Sequence, residues 1–99
     1  MLLPLRFRVL TELATNGAQH CSEIMASLEP EYGSERQFTK KMIDNHIQSL
    51  RAVGLVDDKS VDLDEEDNLI RTVEITEAGR KLLKYLPKDW RQRVAEAND

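Results

Sequence analysis

The chain carries a single cysteine, which rules out an internal disulfide, and nothing in it suggests secretion. Its four glycines, at 17, 33, 54 and 79, lie too far apart to build a phosphate-cradling GxGxxG or GxxxxGK[ST] loop. Histidine is also scarce. His20 and His46, with Cys21, offer neither HxxxH nor CxxC spacing, so no metal site is expected. A Cys21–His46 nucleophile pair would further need an orienting group. Cys21 reads instead as a small core residue. No apolar run approaches the ~18 residues that a membrane span requires. The opening Met1-Leu2-Leu3-Pro4-Leu5 is broken by Arg6 and Arg8, too soon for a signal-peptide core. These absences lead to the expectation of a cytoplasmic, non-enzymatic protein with no cofactor.

What is present fits one small domain. Ninety-nine residues bury roughly 60–70% of the unfolded surface, enough for one core. The apolar share is 40% and the charged share 32%, and the net charge of −4 argues against a strong nonspecific nucleic-acid binder. The acidic run Asp62-Leu63-Asp64-Glu65-Glu66-Asp67-Asn68 looks like the start of a calcium loop. Asp67 and Val73 stand where that loop needs glycine and a carboxylate, so the run reads as a solvated loop.

Periodicity gives the order of elements. Pro4 suits a first helical turn, and Phe7, Leu10 and Ala14, with Val9 and Leu13, form an apolar stripe that ends at Asn16-Gly17. After the extended connector Ala18-Gln19-His20 comes a second helix, with Glu23 at its positive end and Ile24, Met25 and Leu28 inward. Pro30 is expected to stop it. Residues 30–38 read as a polar loop, with capping-box spacing at Ser34 and Gln37. Thr39 caps a third helix whose stripe is Ile43, Ile47 and Leu50, closed by Gly54. The period then changes. Val61 and Leu63, then Val73 and Ile75, alternate with polar residues on either side of a polar turn, an antiparallel hairpin. Thr76 caps a fourth helix with Ala78, Leu82 and Leu86 on one face and Leu83 beside it. Pro87 interrupts it, and Trp90, Val94 and Ala97 share a face of an amphipathic tail. The expected helices are 4–16, 21–29, 39–53 and 76–86, with a hairpin over 55–75. The expected core is Leu10, Leu13, Ile24, Leu28, Ile43, Ile47, Leu50, Ile75 and Leu82.

Three strings in this order resemble PadR- and MarR-type winged helix-turn-helix repressors. Gly17-Ala18-Gln19-His20 followed by Ser22-Glu23-Ile24-Met25-Ala26-Ser27-Leu28 resembles the approach to their second helix. Ile47 to Val56, ending Gly54-Leu55-Val56, is similar to the end of their recognition helix. Val73-Glu74-Ile75-Thr76-Glu77-Ala78-Gly79 is similar to their wing exit. The likeness covers residues 5–86. It implies a mainly α fold with a small β-hairpin: a three-helix core, a two-stranded wing and a C-terminal helix. The expected division is a winged-helix domain over 1–86 and a tail over 87–99. The likeness also implies a sequence-specific transcriptional regulator that binds double-stranded DNA as a homodimer.

The third helix would then carry the contacts. With Ile43, Ile47 and Leu50 buried, Lys41, Asn45 and Gln48 fall on the opposite face at about 100° per residue, and Lys40 and Arg51 flank them. Asn and Gln pair bidentately with adenine, and Lys reaches guanine or phosphate. His46 and Ser49 add further polar groups. The wing departs from the family pattern. From Leu55 to Thr76 eight acids face two bases, Lys59 and Arg71, a local charge of −6. The alternative is therefore a protein-interaction module whose acidic wing meets a basic partner. The tail, with its apolar face, is the expected dimer contact, folding back onto the domain being the other option.

Overall fold

A computed structural model describes residues 3–98. Met1 and Leu2, at the start of the expected domain, and Asp99, at the end of the tail, lie outside the described residues. The order is α1 (Leu5–Asn16), α2 (Cys21–Tyr32), α3 (Lys40–Ala52), β1 (Val56–Leu63), β2 (Leu69–Ile75), α4 (Glu77–Leu82), a 3-10 turn (Leu83–Tyr85) and α5 (Lys88–Ala97). The fold is mainly helical with one two-stranded antiparallel sheet. Among the described residues no helix is long and apolar enough to cross a membrane.

α1 is the central helix. Pro4 caps it rather than sitting inside it, and its carbonyl accepts from Arg8 N at 3.0 Å. Gly17 ends it at φ 84°, a left-handed value that glycine takes without strain. The helix is buried well beyond the expected stripe, because α2, α3, α5 and β2 all pack on it. Arg8, Thr11 and Glu12 are buried beside Val9, Leu10, Leu13 and Ala14. Each polar side chain has partners. Thr11 donates to Phe7 O at 2.8 Å, and Arg8 donates to Glu31 at 2.8 and 3.1 Å. Glu12 pairs with Arg8 and accepts from Asn16 and Gln19 at 2.7 and 2.9 Å. A buried carboxylate is tolerable only when its lone pairs are filled in this way.

α2 corrects one expectation. It continues through Pro30 to Tyr32. A proline near the last turn forfeits one backbone bond, and Tyr32 supplies the compensation: its ring is buried and stacks on Phe38, and its hydroxyl donates to Leu3 O. No helix starts at Ser34. Thr39 caps α3 as expected, its Oγ1 accepting from Met42 N at 3.1 Å. Gly54, at φ 81°, turns the chain into β1.

β1 and β2 pair from Val56↔Ile75 to Leu63↔Leu69, with a bulge between Asp58 and Ser60. Asp64 organises the turn by accepting from Glu66 N and Asn68 N at 2.8 and 2.9 Å. Those backbone bonds, that from Asn68 first, pull its carboxyl below the usual carboxylate range. Gln19 exchanges two backbone bonds with Val73, at 3.0 and 2.9 Å, a one-residue third strand on the sheet edge. Only the base of the hairpin enters the core, at Val56 and Val73. Val61 and Leu63 alternate as read but stand exposed, because the hairpin runs past the helices.

Thr76 Oγ1 accepts from Gly79 N at 3.1 Å and donates to Gly54 O at 2.7 Å, so one hydroxyl joins the two ends of the hairpin. Gly79 is required by space: a Cβ there would lie 2.3 Å from Leu55 O. The fourth helix is shorter than expected. It tightens into the 3-10 turn, whose period of three brings Leu83 and Leu86 inward together. Leu82 and Ile75 are only half-buried, Ala78 is exposed, and Val73 and Leu83 lie in the core.

The tail is a full helix, and its apolar face is already covered. Trp90 and Val94 are buried in the same core cluster as α1, whereas Ala97 is exposed. Asn98 Nδ2 clamps the end by donating to Ala14 O and Val94 O at 3.1 and 2.8 Å. Arg8 and Arg93 lie over the Trp90 ring at 4.9 and 4.0 Å. The expected tail-mediated dimer rested on an uncovered face. The folded-back option is the one observed.

Candidate nucleic-acid interface

α3 has a buried stripe, a flank on α1, a flank on the hairpin and an exposed row between those flanks. Ile43, Ile47 and Leu50 are buried. One flank meets α1, where Arg6 Nε donates to His46 Nδ1 at 3.1 Å. His46 is therefore neutral at Nδ1. Burial, and secondarily the Arg6 charge, push its pKa below 6.5. The sequence reading had it as a free polar contact; it is committed to α1. The other flank meets the hairpin across an open cleft of about 590 Å³.

That cleft is walled by His20, Cys21 and Ser22 at the start of α2, by Lys40, Asp44, Ile47 and Gln48 on α3, and by Asp64 and Asn68 to Arg71 on the hairpin. The Cys21 thiol points at Lys40 O at 3.7 Å. Burial first, then Asp44, raises its pKa, with Lys40 opposing. A thiol so disposed is protonated at neutral pH and a poor nucleophile.

The five residues singled out on α3 separate into groups. Lys41 and Asn45 are exposed and lie outside the cleft. Gln48 is exposed at the cleft edge and accepts from Arg51 Nη1 at 3.2 Å. Lys40 is exposed on the cleft wall, close enough to Asp64 to help lower its pKa. Arg51 is half-buried, and its Nη2 donates to Asp58 at 3.0 Å. The same Asp58 oxygen accepts from Arg71. Arg51 is therefore not a free flanking cation, a correction to the sequence reading.

Asp58 is the residue that reading missed. It sits seven positions after Arg51, across the Gly54 turn. It pairs in register with Val73, which sets Arg71 on the neighbouring diagonal. Periodicity within a single element holds no trace of this arrangement. Only the strand register reveals it.

On the hairpin Arg71 turns inward onto Asp58, while Lys59 and most of the acids face solvent. Arg71 is half-buried on Asp58, while Asp57, Asp62, Glu65, Glu66 and Asp67 are exposed. Among the described residues none of those five has an ion-pair partner. No protein family, no curated protein and no solved structure matches the chain.

Proposed function

We propose that this domain is a winged-helix, sequence-specific DNA-binding regulator that presents α3 to the major groove. One observation carries the reading: Lys41, Asn45 and Gln48 form an exposed polar row opposite a fully buried apolar stripe, with Lys40 at the same N-terminal end. The order of three helices, hairpin and helix supports it, as does the single-residue strand at Gln19 on the hairpin edge. Lys40 and Lys41 serve phosphate or guanine, and Asn45 and Gln48 serve adenine.

Capture on mixed genomic DNA at low and moderate salt, with sequencing of retained fragments, supplies the ligand. Fluorescence anisotropy then tests the residues. Lys41→Glu removes a contact worth ~1–3 kcal/mol and adds repulsion, so affinity falls at least about tenfold. Neutralising Asp64, Glu65, Glu66 and Asp67 to Asn or Gln strengthens binding, more so at low salt. If neither change alters affinity, α3 is not the reading element.

A second reading is favoured by the unpaired carboxylates at the hairpin end: a protein-interaction module whose wing meets a basic partner. It demands the opposite sign from the same quadruple variant, which then weakens the partner's binding.

A further inference from the structure

Val61, Leu63 and Leu69 are three of the large apolar side chains that stand out in solvent, and all are on the hairpin. Val61 and Leu63 alternate along β1, and Leu69 pairs directly with Leu63, so the three share one face of the sheet. Leu63 and Leu69 are 61% and 66% exposed. Glu65 and Glu66 sit in the turn beside them without ion-pair partners among the described residues, whereas Asp62, between Val61 and Leu63, projects from the opposite face.

The other end of the chain has the opposite character. Residues 77–98 hold six bases, Arg80, Lys81, Lys84, Lys88, Arg91 and Arg93, against the three acids Glu77, Asp89 and Glu96. All six bases are exposed, and none pairs with a carboxylate among the described residues. Between α4 and α5 runs a shallow groove of about 360 Å³. Its floor is the exposed Ala95 over Leu83 and Val94, which the chain's own core already buries, its rim is Arg80, Lys84 and Arg91, and no acid lines it.

We propose that the hairpin end of one chain seats in the α4–α5 groove of a second copy. Leu63 and Leu69 lie against Ala95 and the aliphatic stems of the rim side chains, and the carboxylates of Glu65 and Glu66 meet Arg80, Lys84 and Arg91. Leu63 and Leu69 lose water while opposite charges form the rim, the usual anatomy of a specific interface. The complement of the hairpin is carried by the chain itself, so every copy meets it. The two halves do not join within one chain: the hairpin end lines the cleft on α3 and shares no residue with the groove. The contact is independent of whether α3 reads DNA.

Sedimentation equilibrium of the full chain, without DNA, tests this. Wild type self-associates, and the association weakens as salt rises, because exposed charge pairs are screened. A double and a triple variant reverse the charges, Glu65→Lys/Glu66→Lys and Arg80→Glu/Lys84→Glu/Arg91→Glu. Asp64 is spared because it holds the turn. All five sites are exposed, so circular dichroism should match wild type. Each variant alone associates about tenfold more weakly or worse. An equimolar mixture of the two associates again, since each hairpin then faces a groove of opposite sign. The proposal is overturned if wild type is monomeric at every concentration, which leaves the hairpin to a different protein. It is equally overturned if either variant self-associates like wild type, or if the mixture does not associate.

Discussion

His46 lies on the flank of α3 that faces α1, accepting from Arg6 at 3.1 Å. A protonated ring has no acceptor to offer and sets a second cation against the guanidinium. Burial adds to the same effect, so the pKa in the folded chain lies below the ordinary 6.5. Above 6.5 the ring is neutral folded and unfolded, and the full stability is present. As pH falls below 6.5 the unfolded chain takes up the proton first, and stability declines until the folded pKa is passed. Urea midpoints measured across that window should fall for wild type and stay flatter for His46→Gln, whose side-chain oxygen can still accept from Arg6. His20 is common to both proteins and drops out of the comparison. Equal slopes would mean that the Arg6–His46 bond does not bias the ring. Asp64 shifts in the same direction, but its decline is confined to pH below the ordinary 3.8.

At the scale of elements, the hairpin and α3 are coupled by a single carboxylate. Asp58 holds Arg51 from α3 and Arg71 from β2. Asp58→Asn removes the charge and keeps most of the shape. A part-exposed pair of this kind contributes about 1 kcal/mol at most, so the fold should survive with a modest loss in the urea midpoint. Arg51 keeps its bond to Gln48 but loses its counter-charge. If α3 reads DNA, the extra cation raises affinity at low salt, and the plot of log affinity against log salt steepens by about 0.9 for one added phosphate contact. Unchanged affinity and slope would show that Arg51 does not reach the backbone. The sequence was legible within elements and less so between them. The α3 stripe of Ile43, Ile47 and Leu50, and the exposure of Lys41, Asn45 and Gln48 across from it, follow from 3.6-residue geometry alone. The Thr39 and Thr76 caps and the close approach at Gly79 were legible because each is a local demand. The continuation of α2 through Pro30 was not, because the contacts that anchor its last turn, Tyr32 with Leu3 O and Phe38, are made outside the element. Alternation likewise identified the strands but not their burial, since a hairpin that outruns its helices keeps the pattern without a covering layer.

On the scale of the whole molecule, α5 closes the core that α1 begins. Its helical pattern was visible in the sequence, but an apolar stripe does not say whether it is covered by its own domain or by another chain. Here α1 covers it, with the Asn98 amide bonded to Ala14 O and the Trp90 ring beneath the Arg8 guanidinium. Truncation after Leu86 therefore uncovers the side of α1 that α5 packs on and strips a buried arginine of an aromatic neighbour. Removing a buried Trp alone costs about 3–5 kcal/mol, a large part of the 5–15 kcal/mol typical of a domain. The truncated chain should unfold at much lower urea than wild type, or not fold at all. Trp90 is the only tryptophan, so its fluorescence reports α5 directly in the intact protein. If α5 belongs to the one cooperative core, the fluorescence and far-ultraviolet circular dichroism transitions coincide in urea. An earlier fluorescence transition would mark α5 as a separately docking unit, and a truncated chain with an unchanged midpoint would show that it contributes nothing to the fold.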